Sequence, residues 1–305
     1  MPCADARREA MRGSALILAL ITVFLATSIS AALIASLGRN IDTASALQDQ
    51  RQARLLARGA VDWARNVLSD DKRRTNVDHL QELWAVDIPP LPVDDAGEEG
   101  EVAGRIQDRS GLFNLNTLVT GEKGDDSTRP QFARLLMALD VPEGQANALA
   151  NRLQQALVPA TQTAPDDGLP HSPLVDPLEL ASVPGFDNEL IERLLPFVTA
   201  LPAENSKINL NTAPPEILFA VTENLSMEAA RRLAAEREHA WYRTVGEYGQ
   251  HLPSGARLIS QVTCDTNSRY FLVTARARSA SATVSIEVLL DRTENWPTIL
   301  WQKLL

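Results

Sequence analysis

Residues 14–37 read SALILALITVFLATSISAALIASL and contain no charged side chain. As an α-helix, a stretch of this length would span about 36 Å at about 1.5 Å per residue, enough to cross a hydrocarbon core of about 30 Å. The sequence therefore predicts one membrane-spanning helix near the N-terminus, with the bulk of the chain on one side of the membrane.

The residues before this stretch, MPCADARREAMRG, are polar and of mixed charge, and they end in Arg12 and Gly13. The apolar run is longer than the h-region of a secretory signal peptide, and no small-x-small cleavage site follows it. The arrangement resembles the class III signal of type IV pilin-like proteins, which a prepilin peptidase cuts after a Gly. The resemblance implies cleavage between Gly13 and Ser14 and N-methylation of Ser14. An unprocessed single-pass anchor is the alternative.

The helical pattern continues beyond the membrane segment, without a Pro, as far as Arg74. Apolar residues recur near helical spacing on a charged background: Ile41, Ala44, Leu56, Ala60, Trp63 and Val67. We predict one helix of roughly 55–60 residues. Its second half should pack against a sheet.

Length and charge limit the classes of function. At 305 residues and a net charge of −10, the chain can hold one large or two small domains behind the membrane helix. An acidic chain is repelled by phosphate backbones, which disfavours nucleic acid as a partner. With Cys3 in the leader, Cys264 stands alone, so no intramolecular disulfide is expected. There is no zinc-ligand spacing, P-loop or G-x-S-x-G motif, and we expect no enzyme activity.

The remainder of the chain alternates between loops and regular elements. Stretches rich in Pro, Gly and Asp at 89–101, 121–130 and 159–177 predict loops. A strand is predicted at 102–108, and helices at 131–139, 142–157, 177–183, 188–200, 214–222 and 227–239. Segments rich in β-branched residues at 257–264, 270–278 and 282–290 predict a three-stranded antiparallel meander. The pattern predicts an α+β fold with a large inserted α-helical domain.

Two stretches share the sequence Asn-Leu-Asn-Thr, since residues 112–118 read LFNLNTL and residues 207–213 read KINLNTA. Each leads into an apolar helix, a short turn and a second helix, which indicates a duplicated helical unit. We expect the Asn and Thr side chains to cap the helix that follows by accepting its free N–H groups.

Residues 180–198, LASVPGFDNELIERLLPFV, and residues 208–238 resemble helix-hairpin-helix modules. In DNA-binding members a Gly-rich hairpin brings backbone N–H groups close to a phosphate. Here Asp187 and Glu223 place carboxylates in the hairpins, which favours packing or protein contacts. A membrane-anchored DNA-binding protein of the competence type is the alternative function.

These segments together resemble the minor pseudopilin K family of bacterial type II secretion systems. The resemblance covers the leader junction, the apolar helix, Asp108-Arg-Ser-Gly111, the Pro-Gly-Phe hairpin, the Ile-Asn-Leu-Asn-Thr-Ala-Pro stretch and the terminal strands. It implies a type IV pilin-like fold, in which a long N-terminal transmembrane and amphipathic helix packs on an antiparallel sheet. The insertion would be a helix-hairpin-helix or SAM-like domain.

The resemblance also implies an organisation, a location and partners. The divisions are a cleaved leader (1–13), a transmembrane helix (14–37), the rest of the pilin helix with the first strand (38–111), the inserted domain (112–255) and the C-terminal sheet and tail (256–305). The chain would sit in the inner membrane with its bulk in the periplasm, at the tip of a pseudopilus that exports folded proteins across the outer membrane. Implied partners are minor pseudopilins H, I and J, major pseudopilin G, the inner-membrane assembly platform, the prepilin peptidase, inner-membrane lipid and secreted substrates.

Leu18 is the fifth residue after the implied cleavage, where most pilin-like proteins have Glu. In the family that carboxylate pairs with the terminal ammonium of a neighbouring subunit, because a charge in lipid is costly without a partner. A subunit with Leu18 lacks the pair, so the resemblance implies that it initiates or caps the filament. The alternative is that Leu18 is one more lipid-facing Leu of an anchor.

The sequence is compatible with two interpretations of its acidic loops and with two of its C-terminal tail. Family members can bind calcium, and hard oxygen ligands are present in acidic loops at Glu122, Asp125, Asp126, Asp166 and Asp167. The alternative is that these acids are simply solvated. The apolar tail, with Trp296, Ile299, Leu300, Trp301 and Leu304, would dock either on the chain's own core or on a partner.

Overall fold

The computed structural model describes residues 3–95, 98–121, 123–159 and 169–305, with side chains described from Leu16 onward except at 94–99. The helices, in chain order, are α1 (Cys3–Arg74), α2 (Arg129–Ala138), α3 (Glu143–Leu157), α4 (Asn188–Leu194), α5 (Pro215–Val221), α6 (Met227–Glu236) and α7 (Val245–His251). The strands are β1 (Ile88–Asp95), β2 (Glu98–Asp108), β3 (Phe113–Asn114), β4 (Val119–Thr120), β5 (Lys123–Gly124), β6 (Val198–Thr199), β7 (Ile208–Asn209), β8 (Thr222–Glu223), β9 (Arg257–Leu258), β10 (Cys264–Asp265), β11 (Tyr270–Ser279), β12 (Ala282–Asp291) and β13 (Thr298–Leu304). Short 3-10 turns occupy Leu83–Ala85, Leu115–Leu118 and Pro177–Ser182.

Helix α1 runs without a break from the polar leader through the apolar stretch to Arg74. From Leu16 it is long and apolar enough to cross a membrane. Ala53 is its first buried residue among those whose side chains are described. The prediction of one long helix, apolar first and packed on the sheet later, is confirmed.

Five strands form one antiparallel sheet in the order β1-β2-β11-β12-β13. The second half of α1 packs on one face of this sheet through Ala53, Ala57, Val61, Ala64 and Leu68. The small Ala side chains allow helix and strands to approach closely. The predicted apolar stripe is wrong at Ile41, Ala44 and Trp63, which are exposed, because the face that meets the sheet is centred on Ala57 and Val61.

Two assignments made for the sheet are wrong. Residues 89–101, predicted as a loop, form most of β1 and the start of β2, and prolines are tolerated in β1 because it is an edge strand. Residues 257–264, predicted as the first strand of the meander, contribute only to β9 and β10, which pair outside the sheet. The C-terminal meander instead ends with β13, which the apolar tail forms.

Helices α2 to α7 surround a second core, which extends along the chain from Phe113 to Cys264. In it α2 packs against α3 and α5, and α5 packs against α6. The predicted helix at 188–200 ends at Leu194, because Val198 and Thr199 form β6. Helix α7 lies outside the predicted helices. The α+β architecture is confirmed, whereas the domain boundary at residue 255 stays a prediction.

Candidate assembly site

The N-terminal half of α1 carries the residues predicted for processing and assembly. The backbone is helical through Gly13 and Ser14, and their side chains lie outside the described ones. Leu18 is 61% exposed and belongs to the uncharged stretch, so it offers only apolar surface to lipid or to another helix. Cleavage after Gly13 and methylation of Ser14 stay predictions.

Helix α1 also has exposed apolar side chains after residue 37, beyond the apolar stretch. Ile41, Leu47 and Leu55 are exposed in the described part of the chain, on the side of this amphipathic helix that does not meet the sheet. Exposed large apolar side chains on the solvent side of an amphipathic helix indicate contact with another helix. We refer to these three residues as the α1 stripe.

Residues 113–264, which hold α2 to α7 and which we call the helical part, join the sheet at the end of β2, where Asp108 is half-buried. Its carboxylate accepts hydrogen bonds from Ser110 N (2.6 Å) and Ser268 Oγ (2.5 Å), and Thr212 Oγ1 also donates to it. Burial raises the pKa of Asp108 to about 6, although the hydroxyl donors oppose the shift. Gly111 lies against Thr212, and a Cβ there would fall 2.9 Å from the Thr212 carbonyl carbon, so this turn requires glycine.

A second buried network ties the end of α1 to the C-terminal strands. Arg292 donates from Nη1 to Asp71 (2.8 Å) and from Nη2 to Asp78 (2.5 Å) and the Ser268 carbonyl (2.9 Å). Burial, together with the charges of Glu82 and Asp78, raises the pKa of Asp71 to about 7. Oxygens of Asp71, Asp78 and Glu82 lie within 4.8 Å of one another. Because the Arg292 guanidinium is the counter-ion of Asp71 and Asp78, we assign this group to the junction rather than to a metal.

The two Asn-Leu-Asn-Thr stretches form the same side-chain clamp. Asn116 Oδ1 accepts from Leu174 N (2.8 Å), and Asn116 Nδ2 donates to Leu174 O (2.9 Å). Asn211 makes the same pair of bonds with Tyr242, at 2.8 Å and 2.9 Å. Each stretch also starts a parallel two-residue ladder, β3 with β6 and β7 with β10. The duplication therefore extends to hydrogen bonds and strand pairing.

The predicted capping role of these stretches is wrong for the α-helices that follow them. No side chain caps α2 after Thr128 or α5 after Pro214. Asn114 caps only the 3-10 turn, by accepting from Asn116 N at 3.2 Å. The Asn116 and Asn211 amides instead satisfy backbone groups of distant segments, because buried N–H and C=O groups require partners.

The hairpin residues that would contact DNA serve the fold here. Asp187 caps α4 by accepting from Leu190 N at 2.8 Å, and Glu223 pairs with Arg257 at 2.7 Å. Phe186, next to Asp187 in the chain, is buried and stacks on Phe132, with ring centroids 6.4 Å apart. The carboxylates thus hold helices and strands in place and would repel a phosphate.

The calcium candidates do not converge among the described residues. Asp125 is held within its own loop, where Oδ1 accepts from Ser127 N (2.8 Å) and Oδ2 from Thr120 Oγ1 (2.9 Å). Burial alone would raise the pKa of Asp125, but these hydrogen bonds outweigh it and lower the pKa. Asp126 is exposed and pairs with Arg129 at 3.2 Å. Glu122, Asp166 and Asp167 lie outside the described residues, so calcium binding stays a prediction.

Sequence comparisons identify relatives over most of the chain. Family models described as "Type II secretion system (T2SS), protein K" match residues 111–203 and 208–263. The Type II secretion system protein K of Pseudomonas aeruginosa PAO1 is 32% identical over 288 residues, which cover 87% of this chain and 84% of that protein. The protein of the same name from Pectobacterium carotovorum is 27% identical over 299 residues, which cover 89% of each.

A solved structure shares the fold. It is the crystal structure of the GspK-GspI-GspJ complex from the type 2 secretion system of enterotoxigenic Escherichia coli. The matching chain superposes with a TM-score of 0.70 at 22% identity, over 86% of this chain and 99% of that one. The fold is thus pilin-like, and these comparisons lend no support to the competence-type alternative. The relatives and the shared fold agree that the chain belongs to the type II secretion system protein K family and is a minor pseudopilin of type II secretion.

Proposed function

We propose that this chain is the tip subunit of the pseudopilus, where it initiates or caps the filament. The observation that carries the proposal is Leu18, which brings no carboxylate into the membrane segment. A filament subunit in the membrane has a terminal ammonium that is costly in lipid unless a neighbour neutralises it. A subunit without that carboxylate is poorly suited to joining below an existing one, but it can be the first.

The helical part supports the same position through its bulk. Thr212 of this part donates to Asp108 at the end of β2. Ser268 also donates to Asp108 and accepts from Arg292, which binds Asp71 near the C-terminal end of α1. That end is farthest along α1 from residues 14–37. A further subunit stacked above this end would overlap the helices, whereas nothing is stacked above a tip.

The proposal also gives the chain a location and partners. Residues 14–37 would hold it in the inner membrane after prepilin peptidase cleavage at Gly13 and methylation of Ser14, with its bulk in the periplasm. Minor pseudopilins I and J are the first expected partners, because the structural relative was solved as a complex with GspI and GspJ. A subunit at the tip would have further partners, namely minor pseudopilin H, major pseudopilin G, the assembly platform and secreted substrates. The role is structural rather than enzymatic, and the charge of −10 disfavours nucleic acid.

Calcium is the ligand we propose for the acidic loop at 121–130. Calcium at about 100 times its Kd would stabilise the folded chain by about 2.7 kcal/mol. We expect the Tm of EDTA-treated protein to rise on addition of calcium and the rise to be lost in Asp125→Asn but retained in Asp140→Asn. A Tm that does not change on addition of calcium would contradict calcium binding.

Complex formation tests the proposed function. The full chain in detergent should co-elute with pseudopilins I and J of the same secretion system, and elution apart from them would contradict the proposal. Leu18→Glu then separates the two causes of a tip position. The variant still caps if bulk dominates, and it enters the filament shaft if the missing carboxylate dominates.

A further inference from the structure

The two edges of the five-stranded sheet differ in how they meet a further strand. Strand β1 at one edge contains Pro89, Pro90 and Pro92, which lack the N–H that a ladder needs, and its register shifts between Ile88 and Leu91. Strand β13 at the other edge reads TILWQKL, has no Pro and is exposed at every residue. Soluble proteins normally protect an apolar edge strand, so an open one indicates a partner strand.

The hydrogen bonds identify which backbone groups of β13 are free. Leu305 N donates to Ser285 O at 2.9 Å, so residue 305 faces β12. From Trp301 to Leu304 the register with β12 is regular, and in an antiparallel ladder every second residue faces the same neighbour. Lys303 therefore bonds to β12, whereas the N–H and C=O groups of Gln302 and Leu304 point to the open edge.

Apolar side chains flank this edge on both faces of the sheet. Ile299 and Leu304 stand opposite Leu290 and Ile286, on the face that α1 covers. Trp301 stands on the other face, where it and Leu300 line a cleft of about 650 Å³ against the helical part. A strand added here would bury apolar surface on both of its sides.

Charge and position decide which occupant fits the edge. Lys303 is the charged residue of β13, and it stands directly opposite Glu287 of β12 in the ladder. A second copy would bring another Lys303 and another net charge of −10, which disfavours self-pairing. The edge is also continuous with α1, since Arg65 of α1 lies over the Trp296 ring at 4.6 Å and donates to Pro297 O at 2.9 Å.

We propose that β13 is the docking strand for a neighbouring minor pseudopilin, I or J, in the tip complex. The neighbour adds an extended strand that pairs with the free groups of Gln302 and Leu304. It places an apolar side chain in the cleft beside Trp301. This inference rests on the proposed function, because the α1 stripe and β13 then form one continuous contact between subunits.

Hydrogen exchange resolved to single amides tests the inference on the full chain in detergent, alone and with pseudopilins I and J. The amides of Gln302 and Leu304 should exchange freely in the isolated chain and at least about tenfold more slowly in the complex. The Lys303 amide should be protected in both samples and serves as the internal reference. A complex that forms but leaves Gln302 and Leu304 unprotected overturns the inference and leaves the tip assignment intact. Failure of the complex to form overturns both.

Variants of Gln302 supply a matched pair. Gln302→Pro removes the outward N–H without touching the ladder to β12, and it should weaken the complex about tenfold with an unchanged Tm. Gln302→Thr keeps the N–H and should bind as the parent does. Full affinity of Gln302→Pro for the partners would overturn the inference. It would also be overturned if the Gln302 amide of the isolated chain became protected as the protein concentration rises, because that protection reports pairing between two copies of this chain.

Discussion

Asn116 and Asn211 occupy equivalent positions in two copies of one clamp, and each binds both backbone groups of a single distant residue. The partners are Leu174, 58 residues along the chain, and Tyr242, 31 residues along. A side-chain amide offers one donor side and one acceptor side, which match the two groups of a peptide unit. Each clamp thus joins the two ends of one helical unit. It does so by giving hydrogen-bond partners to a buried backbone N–H and C=O that pair with no neighbouring strand.

We expect Asn211→Ala to lower the free energy of unfolding by about 2–4 kcal/mol, because each unsatisfied buried backbone group costs about 1–3 kcal/mol. Urea unfolding followed by circular dichroism measures the loss. Asn147→Ala is the control, since it removes only an exposed bond to Glu143 O and should change stability by less than about 0.5 kcal/mol. Equal effects of the two substitutions would contradict the clamp.

Arg292→Met should be strongly destabilising, by about 3–5 kcal/mol, because it leaves the buried Asp78 and the half-buried Asp71 without their cation. Arg257→Met breaks an exposed pair with Glu223 and should cost no more than about 1 kcal/mol. Denaturant unfolding of both variants compares a buried pair with an exposed pair in one protein. A mild effect at Arg292 would show that the network does not hold the junction.

Folding stability should depend on pH through Asp71, whose pKa is raised from 3.8 to about 7 in the folded chain. The folded state binds this proton more tightly than the unfolded state, so stability is lost as pH rises through about 7. One such group contributes about 1.4 kcal/mol between pH 8 and pH 6. The Tm should therefore be higher at the lower pH, and this difference should shrink in Asp71→Asn but not in the exposed control Asp62→Asn. A parent chain that is more stable at the higher pH would contradict the assignment.

Gly13→Leu should block removal of the leader, because the peptidase would have to accept a branched side chain at the cleavage site. Intact-mass measurement of membrane protein from cells that express the peptidase distinguishes processed from unprocessed chains. The change Gly38→Leu lies outside the leader and serves as the control. If the unsubstituted protein from these cells still begins at Met1, the prediction of cleavage is wrong.

The local features of the chain could be read from the sequence. The uncharged stretch at 14–37 and the absence of Pro as far as Arg74 require one long helix, because nothing interrupts its backbone hydrogen bonds. The repeated Asn-Leu-Asn-Thr stretches showed a duplication. The role of Leu18 could be inferred only from the resemblance to pilin-like proteins, because a single Leu in an apolar stretch does not by itself indicate a function.

The long-range features could not be read in the same way. Pro89 and Pro92 indicate a loop until it is known that β1 lies at an edge, where a missing N–H is tolerated. Likewise, nothing near Asn211 in the sequence marks Tyr242 as its partner, and nothing near Arg292 marks Asp78. These pairings are set by tertiary packing over many residues, so the sequence pattern showed the elements without the junction between them.

Immunogold labelling tests the tip assignment most directly. Cells that overproduce the major pseudopilin should assemble long pili, and an antibody raised against residues 112–255 of this chain should label them. For a tip subunit, gold particles are expected at one end of each pilus and none along the shaft. Labelling along the length of the filaments would contradict it.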